Sequence, residues 1–143
     1  LYVSNYGNIY RSENAGVTWS KVNSTAYAAR KLFSSNDKLY LCTDNGLFEI
    51  NTENNSITLN SSGLNSIDIL TLVSTPRRTI AFTAENIYYT TNSGRNWAEM
   101  PDSSTIQHIF KTVSNGNTII AANYDGHAYR SENDGDTWTE IVP

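Results

Sequence analysis

An internal repeat of about 40 residues most constrains how this chain of 143 residues can fold. Ser34, Ser74 and Ser114 each end an apolar run, and the spacing between them is 40 residues both times. Each serine is followed by a short turn and a second apolar run, then by a Gly/Asn turn and a third run, and finally by a fourth. No segment shows sustained helical spacing of apolar residues, so each unit predicts four short β-strands.

Four strands per unit at this period are typical of a β-propeller blade. We therefore expect an all-β fold of three full blades plus three strands of a fourth, each full blade being a sheet of four antiparallel strands. The units are predicted at about 1–22 (partial), 23–63, 64–101 and 102–143. The partial unit lacks its innermost strand, and an open stack exposes an apolar face at each end. The chain is thus expected to be part of a larger propeller or to close by self-association, with a closed four-bladed monomer as a third alternative.

One short motif recurs between the third and fourth predicted strands of the units. It reads YRSENAGVTW at Tyr10–Trp19 and YRSENDGDTW at Tyr129–Trp138, with a third copy, TTNSGRNW, at 90–97. A degenerate copy, TENNSITL at 52–59, lacks the glycine and has Leu59 in place of the tryptophan.

The residue types of this motif suit a structural hairpin turn. Glycine can adopt the positive φ that such a turn needs, the residue two positions earlier can accept backbone N–H groups, and tryptophan can pack the turn against its blade. The residues expected in this role are Ser12, Asn14, Gly16, Trp19, Thr90, Asn92, Gly94, Trp97, Ser131, Asn133, Gly135 and Trp138.

These copies resemble the Asp-box, or BNR repeat, whose pattern is Ser/Thr-x-Asp-x-Gly-x-Thr-Trp. The family includes sialidases, xyloglucan-degrading hydrolases, sortilin-type receptors and Asp-box assembly factors of photosystems. The resemblance implies a β-propeller and places the boxes on the face away from any ligand site. Asn14, Asn54, Asn92 and Asn133 stand where the family usually has Asp. Because hard cations prefer several carboxylates, we expect no metal site, and we expect no cofactor.

A ligand site of such a propeller is expected at the mouth of the central channel. The loops that form this mouth link the second and third strands or lead into the next blade, here around 24–27, 65–68 and 105–108. Tyrosine platforms in these loops suit stacking on sugar rings or peptides, whereas the alternative is plain hairpin packing. An Asp and a His at equivalent positions could do acid–base chemistry or simply line a wet channel. The candidate ligand-binding residues are Tyr6, Asp44, Asn45, Asp68, Glu85, His108, Tyr124, Asp125 and His127.

Composition and missing motifs narrow the function. A net charge of −4 without a basic stripe argues against a nucleic-acid partner, and the chain has no apolar run of the roughly 18 residues that would predict a membrane span. The string TPRRTI at 75–80 is not the Arg-Ile-Pro motif of sialidases, and we assign no catalytic residue. The leading hypothesis is a non-catalytic module, secreted, periplasmic or at the cell surface, that binds a glycan or a protein. The alternatives are a fragment of a larger Asp-box glycoside hydrolase, and an assembly scaffold or receptor ectodomain.

Two smaller features complete the sequence predictions. Cys42 is the single cysteine, and its flanks predict a buried strand thiol rather than a reactive one. Glycosylation sequons begin at Asn23, Asn54 and Asn60, and they matter only in a eukaryotic secretory route.

Overall fold

The computed structural model describes residues 1–101 and 106–142, and the regular secondary structure of these residues is entirely β. The strands are β1 (Tyr2–Asn5), β2 (Asn8–Arg11) and β3 (Ser20–Ser24) in the first sheet; β4 (Ala29–Ser35), β5 (Lys38–Thr43), β6 (Gly46–Ile50) and β7 (Ile57–Leu59) in the second; β8 (Ile69–Ser74), β9 (Thr79–Thr83), β10 (Ile87–Thr90) and β11 (Ala98–Glu99) in the third; and β12 (Ile109–Asn115), β13 (Thr118–Asn123), β14 (Ala128–Ser131) and β15 (Thr139–Val142) in the fourth. A helix capable of crossing a membrane is not found in the part of the chain that the structure describes.

Each sheet is an antiparallel meander in which strands pair in chain order. The first sheet has three strands and the other three sheets have four, which confirms the predicted fold class of three full blades and three strands of a fourth. The first sheet lacks the counterpart of β4, β8 and β12, which we call the inner strands. The predicted unit boundary at 101/102 borders residues outside the described part of the chain, and residue 105 of the predicted loop 105–108 lies outside it.

Strand register shows that the repeat spacing is 40 residues through the second and third sheets. Leu41 pairs with Leu32 and Phe48, just as Ala81 pairs with Leu72 and Tyr88. One alignment made from sequence is wrong by two residues. Leu59 pairs with Phe48 in the way that Glu99 pairs with Tyr88, so Ile57, not Leu59, occupies the position of Trp97. Because the strand pairing continues unbroken, an aliphatic residue replaces the tryptophan without any shortening of the unit.

The hydrophobic core lies between neighbouring sheets. One cluster joins Ile9 of the first sheet to Leu41 and Ile50 of the second. The second and third sheets share a cluster that includes Tyr40, Cys42, Leu47, Leu72, Tyr88 and Trp97. The third and fourth sheets share another, which includes Ile80, Phe82, Ile109 and Ile119. Burial of both faces of each inner sheet therefore depends on its neighbours, as expected for stacked blades.

Three hairpin turns share one hydrogen-bond pattern, and we call residues 12–19, 90–97 and 131–138 the Trp turns. In the last of them the Ser131 hydroxyl oxygen accepts from the Gly135 N–H at 2.9 Å, and the Asn133 side-chain oxygen accepts from the Thr137 N–H at 2.9 Å. The same two bonds recur in the other Trp turns, and all three glycines have positive φ. The turns lie between the third and fourth strands in the third and fourth sheets and between β2 and β3 in the three-stranded first sheet.

The degenerate copy folds differently from the expected pattern. Its loop is organised by Asn51, whose side-chain oxygen accepts from the Glu53 and Asn54 N–H groups. The Asn54 side chain accepts from the Ser56 N–H, two residues on rather than four, so it does not take the part of Asn133. With no glycine in the loop, Asn55 adopts the positive φ of 59°, a conformation that asparagine tolerates better than most residues.

The single thiol and the sequons have clear environments. Cys42 is fully buried, which confirms a strand thiol inside the core. Among the sequon asparagines, the side-chain nitrogen of Asn23 donates to the Asn55 carbonyl and that of Asn60 donates to Glu49, whereas Asn54 is exposed.

Candidate ligand-binding loop face

The loop face is the end of the sheets opposite the Trp turns. It is formed by the connections β1–β2, β5–β6, β9–β10 and β13–β14 and by the residues directly before β4, β8 and β12. Because antiparallel strands place alternate connections at opposite ends, all nine candidate ligand-binding residues lie at this end. Whether any of them binds a ligand stays a prediction.

Buried polar residues at the ends of the second strands shape three of these connections. The Thr43 hydroxyl donates to the Gly46 carbonyl at 2.8 Å, and Thr83 donates to Asn86 in the same way at 2.7 Å. In the fourth sheet the side-chain oxygen of Asn123 accepts from the N–H groups of Asp125 and His127. These three residues were not singled out from sequence, although their spacing of 40 residues is visible there.

A β-bulge stands at the loop-face end of every inner strand. The pairing register shifts between Ala29 and Lys31, and the corresponding shift recurs one and two repeats later, at Ile69/Thr71 and Ile109/Lys111. The extra residues are Arg30, Leu70 and Phe110. A bulge re-aims the side chain of its extra residue, and two of these three residues make the contacts described next.

Arg30 forms an ion pair with Asp68 across neighbouring sheets. Its Nε lies 2.8 Å from one carboxylate oxygen and its terminal nitrogen 3.0 Å from the other, so the contact is bidentate. Both side chains are about one-third exposed. The arrangement neutralises a carboxylate that the sequence had suggested for acid–base chemistry, and it links the second sheet to the third at the loop face.

Phe110 and Tyr124 form a stacked aromatic pair with ring centroids 4.2 Å apart and planes at 18°. Tyr124 nevertheless keeps 65% of its surface exposed. The next residue, Asp125, has a carboxylate oxygen 3.7 Å from Nδ1 of His108, which lies just before β12. The structure thus brings three of the predicted residues together, Tyr124, Asp125 and His108, and adds Phe110, which sequence reasoning missed.

The remaining candidates do not join this group. The Asp44 carboxylate accepts from the Ala28 N–H at 3.0 Å and so holds the segment that leads into β4. His127 pairs through Nδ1 with Glu140 on the outer strand β15. Asn45 donates its backbone N–H to Thr43, and Glu85 is exposed.

Tyr6 is 90% exposed and lies in the β1–β2 turn, which packs against the segment leading into β4. The following residue, Gly7, packs so closely under the segment leading into β4 that a side-chain carbon there would lie 2.5 Å from the Thr25 carbonyl oxygen. The turn therefore presents the tyrosine ring to solvent.

Three surface cavities of about 410, 360 and 390 Å³ lie beside the Trp turns, the inner-strand turn of the second sheet and the loop at 51–56. None of the nine candidate residues lines these three cavities. Within residues 1–101 and 106–142, no group of three or more His, Cys, Asp or Glu side chains is arranged to hold a metal ion.

Solved structures with the same fold match this chain along nearly its whole length. YCF48 bound to a D1 peptide aligns with 98% of this chain and 49% of its own, at 18% sequence identity and a TM-score of 0.73. The extracellular domain of the putative one-component system BT4673 from B. thetaiotaomicron aligns with 99% of this chain and 21% of its own, at 13% identity and a TM-score of 0.74. The computationally designed Ika4 protein aligns with 89% of this chain and 80% of its own, at 10% identity and a TM-score of 0.64.

These comparisons show the fold. The first two neighbours are β-propeller proteins, and this chain spans about half the length of the first and about a fifth of the second. No protein-family model matches the sequence, and no curated protein matches it.

Proposed function

We propose that this β-propeller segment is a non-catalytic binding module that holds a segment of a protein partner on its loop face. The observation that carries the proposal is the stack of the half-buried Phe110 on the exposed Tyr124, beside the Asp125 carboxylate and His108. An aromatic surface flanked by polar groups is the usual anchor of a protein interface, because it buries a large apolar area at a small cost in side-chain entropy.

The charges of the loop face favour a basic, apolar segment in the partner. Asp68 is neutralised by Arg30, and Asp44 is engaged by a backbone N–H. Asp125 and Glu85 remain exposed, and the chain as a whole has a net charge of −4. A peptide that carries a lysine or arginine next to an aromatic or aliphatic residue would complement both parts of this surface.

A structural neighbour supports this class of ligand. YCF48, which shares the fold over nearly the whole of this chain, has been solved with a peptide bound. The identity of 18% transfers the fold and not the binding site, so the support is that a propeller of this shape can take a peptide.

The proposal is tested by selecting random displayed peptides against the chain and measuring the affinity of a selected peptide by calorimetry. We expect Tyr124→Ala and Phe110→Ala each to weaken binding by about tenfold or more, since aromatic anchors dominate such interfaces. The matched control is Leu59→Ala, because Leu59 has the same exposed fraction as Tyr124, 65%, and lies on an outer strand. Equal affinity for the Tyr124→Ala variant and the parent protein would contradict the proposal.

A glycan is the second candidate ligand, and the exposure of Tyr6 favours it. An aromatic ring that is 90% exposed at the loop face can stack on a sugar ring. Binding to a glycan array that is lost in Tyr6→Ala and retained in Leu59→Ala would support this alternative. Absence of binding to every glycan at high density would argue against it.

A hydrolytic role receives less support. Glycoside hydrolysis needs two carboxylates free to act across one gap. On the loop face Asp44 and Asp68 accept hydrogen bonds from Ala28 and Arg30, and the Asp125 carboxylate lies 3.7 Å from His108. Three of the four candidate carboxylates are therefore next to a partner, and the fourth, Glu85, is exposed. We therefore favour a non-catalytic function. We also propose a secreted, periplasmic or cell-surface location and a role in recognition or assembly.

We also infer that the four stacked sheets, which we call the arc, belong to a closed ring of blades. Its first sheet lacks an inner strand, and the faces at its two ends carry exposed apolar side chains. Closure by further blades of the same polypeptide or by another copy of the chain would cover both faces.

A further inference from the structure

The two end faces of the arc are built like the faces that pack together inside it. Val3 pairs with Tyr10 as Leu41 pairs with Phe48, and Leu41 is buried against the preceding sheet. Val113 lies 40 residues after Val73, which is buried against the following sheet. Val3 and Val113 are nevertheless 43% and 65% exposed. They therefore occupy core positions whose neighbouring sheet is missing.

The tryptophan position shows what covers such a face. In the second, third and fourth sheets this position holds Ile57, Trp97 and Trp138, and each side chain packs into the cluster shared with the preceding sheet. Trp19 holds the same position in the first sheet and is 41% exposed. No core cluster among the described residues joins the first sheet to the fourth.

The receiving surface for a Trp turn also repeats. The Tyr40 hydroxyl donates to the Ser93 carbonyl in the Trp turn of the third sheet, at 2.9 Å. One repeat later, Ile80 lies so close to Gly135 that a side-chain carbon on the glycine would come within 2.7 Å of it. The next residue in this series is Ile120 on β13 of the fourth sheet, which is half-buried and faces the open end. Ile120 is thus placed to receive the turn that contains Gly16 and Trp19.

The charges on the Trp turn of the fourth sheet are complementary to those on the third sheet, which receives it. The Trp turn of the fourth sheet presents Asp134 and Asp136 to Arg77 and Arg78 of the third sheet. In the Trp turn of the first sheet the corresponding residues are Ala15 and Val17, which carry no charge. The inner-strand turn of the fourth sheet, 115–118, contains Asn, Gly, Asn and Thr and is uncharged as well. The Trp turn of the first sheet and the inner-strand turn of the fourth sheet could therefore pack together, because neither would bury an unmatched charge.

We propose that a second copy of this chain covers these faces, with the first sheet of each copy docked on the fourth sheet of the other. The proposal rests on the inference that the arc belongs to a closed ring, and it names the partner and the residues. Two identical contacts related by a two-fold axis would join the two arcs into a ring that lacks only the inner strands of the two first sheets.

The first test is the mass in solution, by size-exclusion chromatography with light scattering at several concentrations. We expect a dimer, twice the chain mass of 15.9 kDa. Val3→Asp and Val113→Asp should each shift the protein to monomer, because each alters one side of both contacts. Leu59→Asp, at a residue as exposed as Val113 but away from the end faces, should leave the dimer intact. A monomer or a larger oligomer for the parent chain, or a dimer that survives both Val→Asp changes, would overturn the proposal.

The second test introduces, at the contact between the two copies, the ion pair that Arg78 and Asp136 form between the third and fourth sheets. Thr118 corresponds to Arg78 and Val17 to Asp136, so Thr118→Arg and Val17→Asp would recreate that pair between copies. Each single change should raise the dimer dissociation constant by about tenfold or more, and the double variant should recover the parent value. Failure of the double variant to recover would overturn this docking geometry. Selection of peptides on the loop face is a separate measurement, so loss of one proposal does not imply loss of the other.

Discussion

The indole of Trp138 meets the ring of Phe82 edge-on, with centroids 6.0 Å apart and planes at 75°. Phe82 belongs to the core cluster between the third and fourth sheets, and Trp138 packs against this cluster. Truncation at this point would leave a cavity that the surrounding strands can fill only in part. Because Trp138 is partly buried, we expect Trp138→Ala to lower the free energy of unfolding by about 2–3 kcal/mol, measured by urea denaturation.

The control for that change is Tyr6→Ala, because Tyr6 is an aromatic residue that is exposed on a loop. Its unfolding free energy should stay within about 0.5 kcal/mol of the parent value. Equal losses for the two variants would mean that Trp138 does not contribute to the core in the way its position indicates.

Two glycines with the same backbone handedness should respond very differently to alanine. Gly63 has φ +87°, and a side-chain carbon there would lie 2.1 Å from the Trp97 carbonyl oxygen. Gly116 has φ +60° and no heavy atom within 4 Å of that position. We expect Gly116→Ala to cost about 1 kcal/mol for the left-handed conformation alone, and Gly63→Ala about 3 kcal/mol or more because backbone must also move. Thermal or urea unfolding of both variants checks this, and similar costs would contradict it.

Repeat spacing carried most of the fold prediction, because the side chains that pack between sheets recur at a constant interval. Ser34, Ser74 and Ser114 marked the inner strands correctly, and the predicted strand count agrees with the described sheets. The misassignment of Leu59 came from applying the spacing of the other motif copies to residues 52–59, whereas strand pairing shows that Ile57 holds the position.

The candidate site was less accessible from sequence, for two physical reasons. A β-bulge adds a residue without changing the composition of a strand, so the aim of Phe110 toward Tyr124 has no signal in an alternating pattern. The pair Arg30–Asp68 joins residues of different repeats, and such contacts depend on how sheets pack rather than on local spacing. Burial of Thr43 and Thr83, in contrast, could have been inferred from their interval of 40 residues.

The Trp turns should tolerate the acidic residue that Asp-boxes carry. In the turn of the fourth sheet the Asn133 oxygen accepts from the Thr137 N–H, and its nitrogen donates to the Thr137 hydroxyl. Asn133→Asp keeps the acceptor, and the hydroxyl can rotate to donate to it, so we expect a change within about 0.5 kcal/mol. Asn133→Ala removes both bonds, together with the one that the Asn133 oxygen accepts from the Ser131 hydroxyl, and should cost about 1 kcal/mol or more in urea denaturation. A larger loss for Asp than for Ala would show that the amide nitrogen is the essential group.

The buried thiol should make the protein less stable in alkaline solution. Burial raises the pKa of Cys42 to about 12, although the Lys31 ammonium partly opposes this shift. An unfolded thiol ionises near pH ~8.5. Above that pH the unfolded chain releases a proton that the folded chain keeps, so the free energy of unfolding falls, by up to about 1.4 kcal/mol per pH unit, until the folded pKa is reached.

Cys42→Ala isolates this effect from other groups, including Tyr40, whose pKa burial and Glu49 also raise to about 12. Urea denaturation of both proteins from about pH 7 to 10 should show a steeper alkaline loss for the parent than for the variant. The variant has a lower stability at neutral pH because it leaves a small cavity in the core shared by the second and third sheets, so the two curves should converge as the pH rises. Parallel curves across this range would mean that the Cys42 thiol ionises as readily in the folded protein as in the unfolded one.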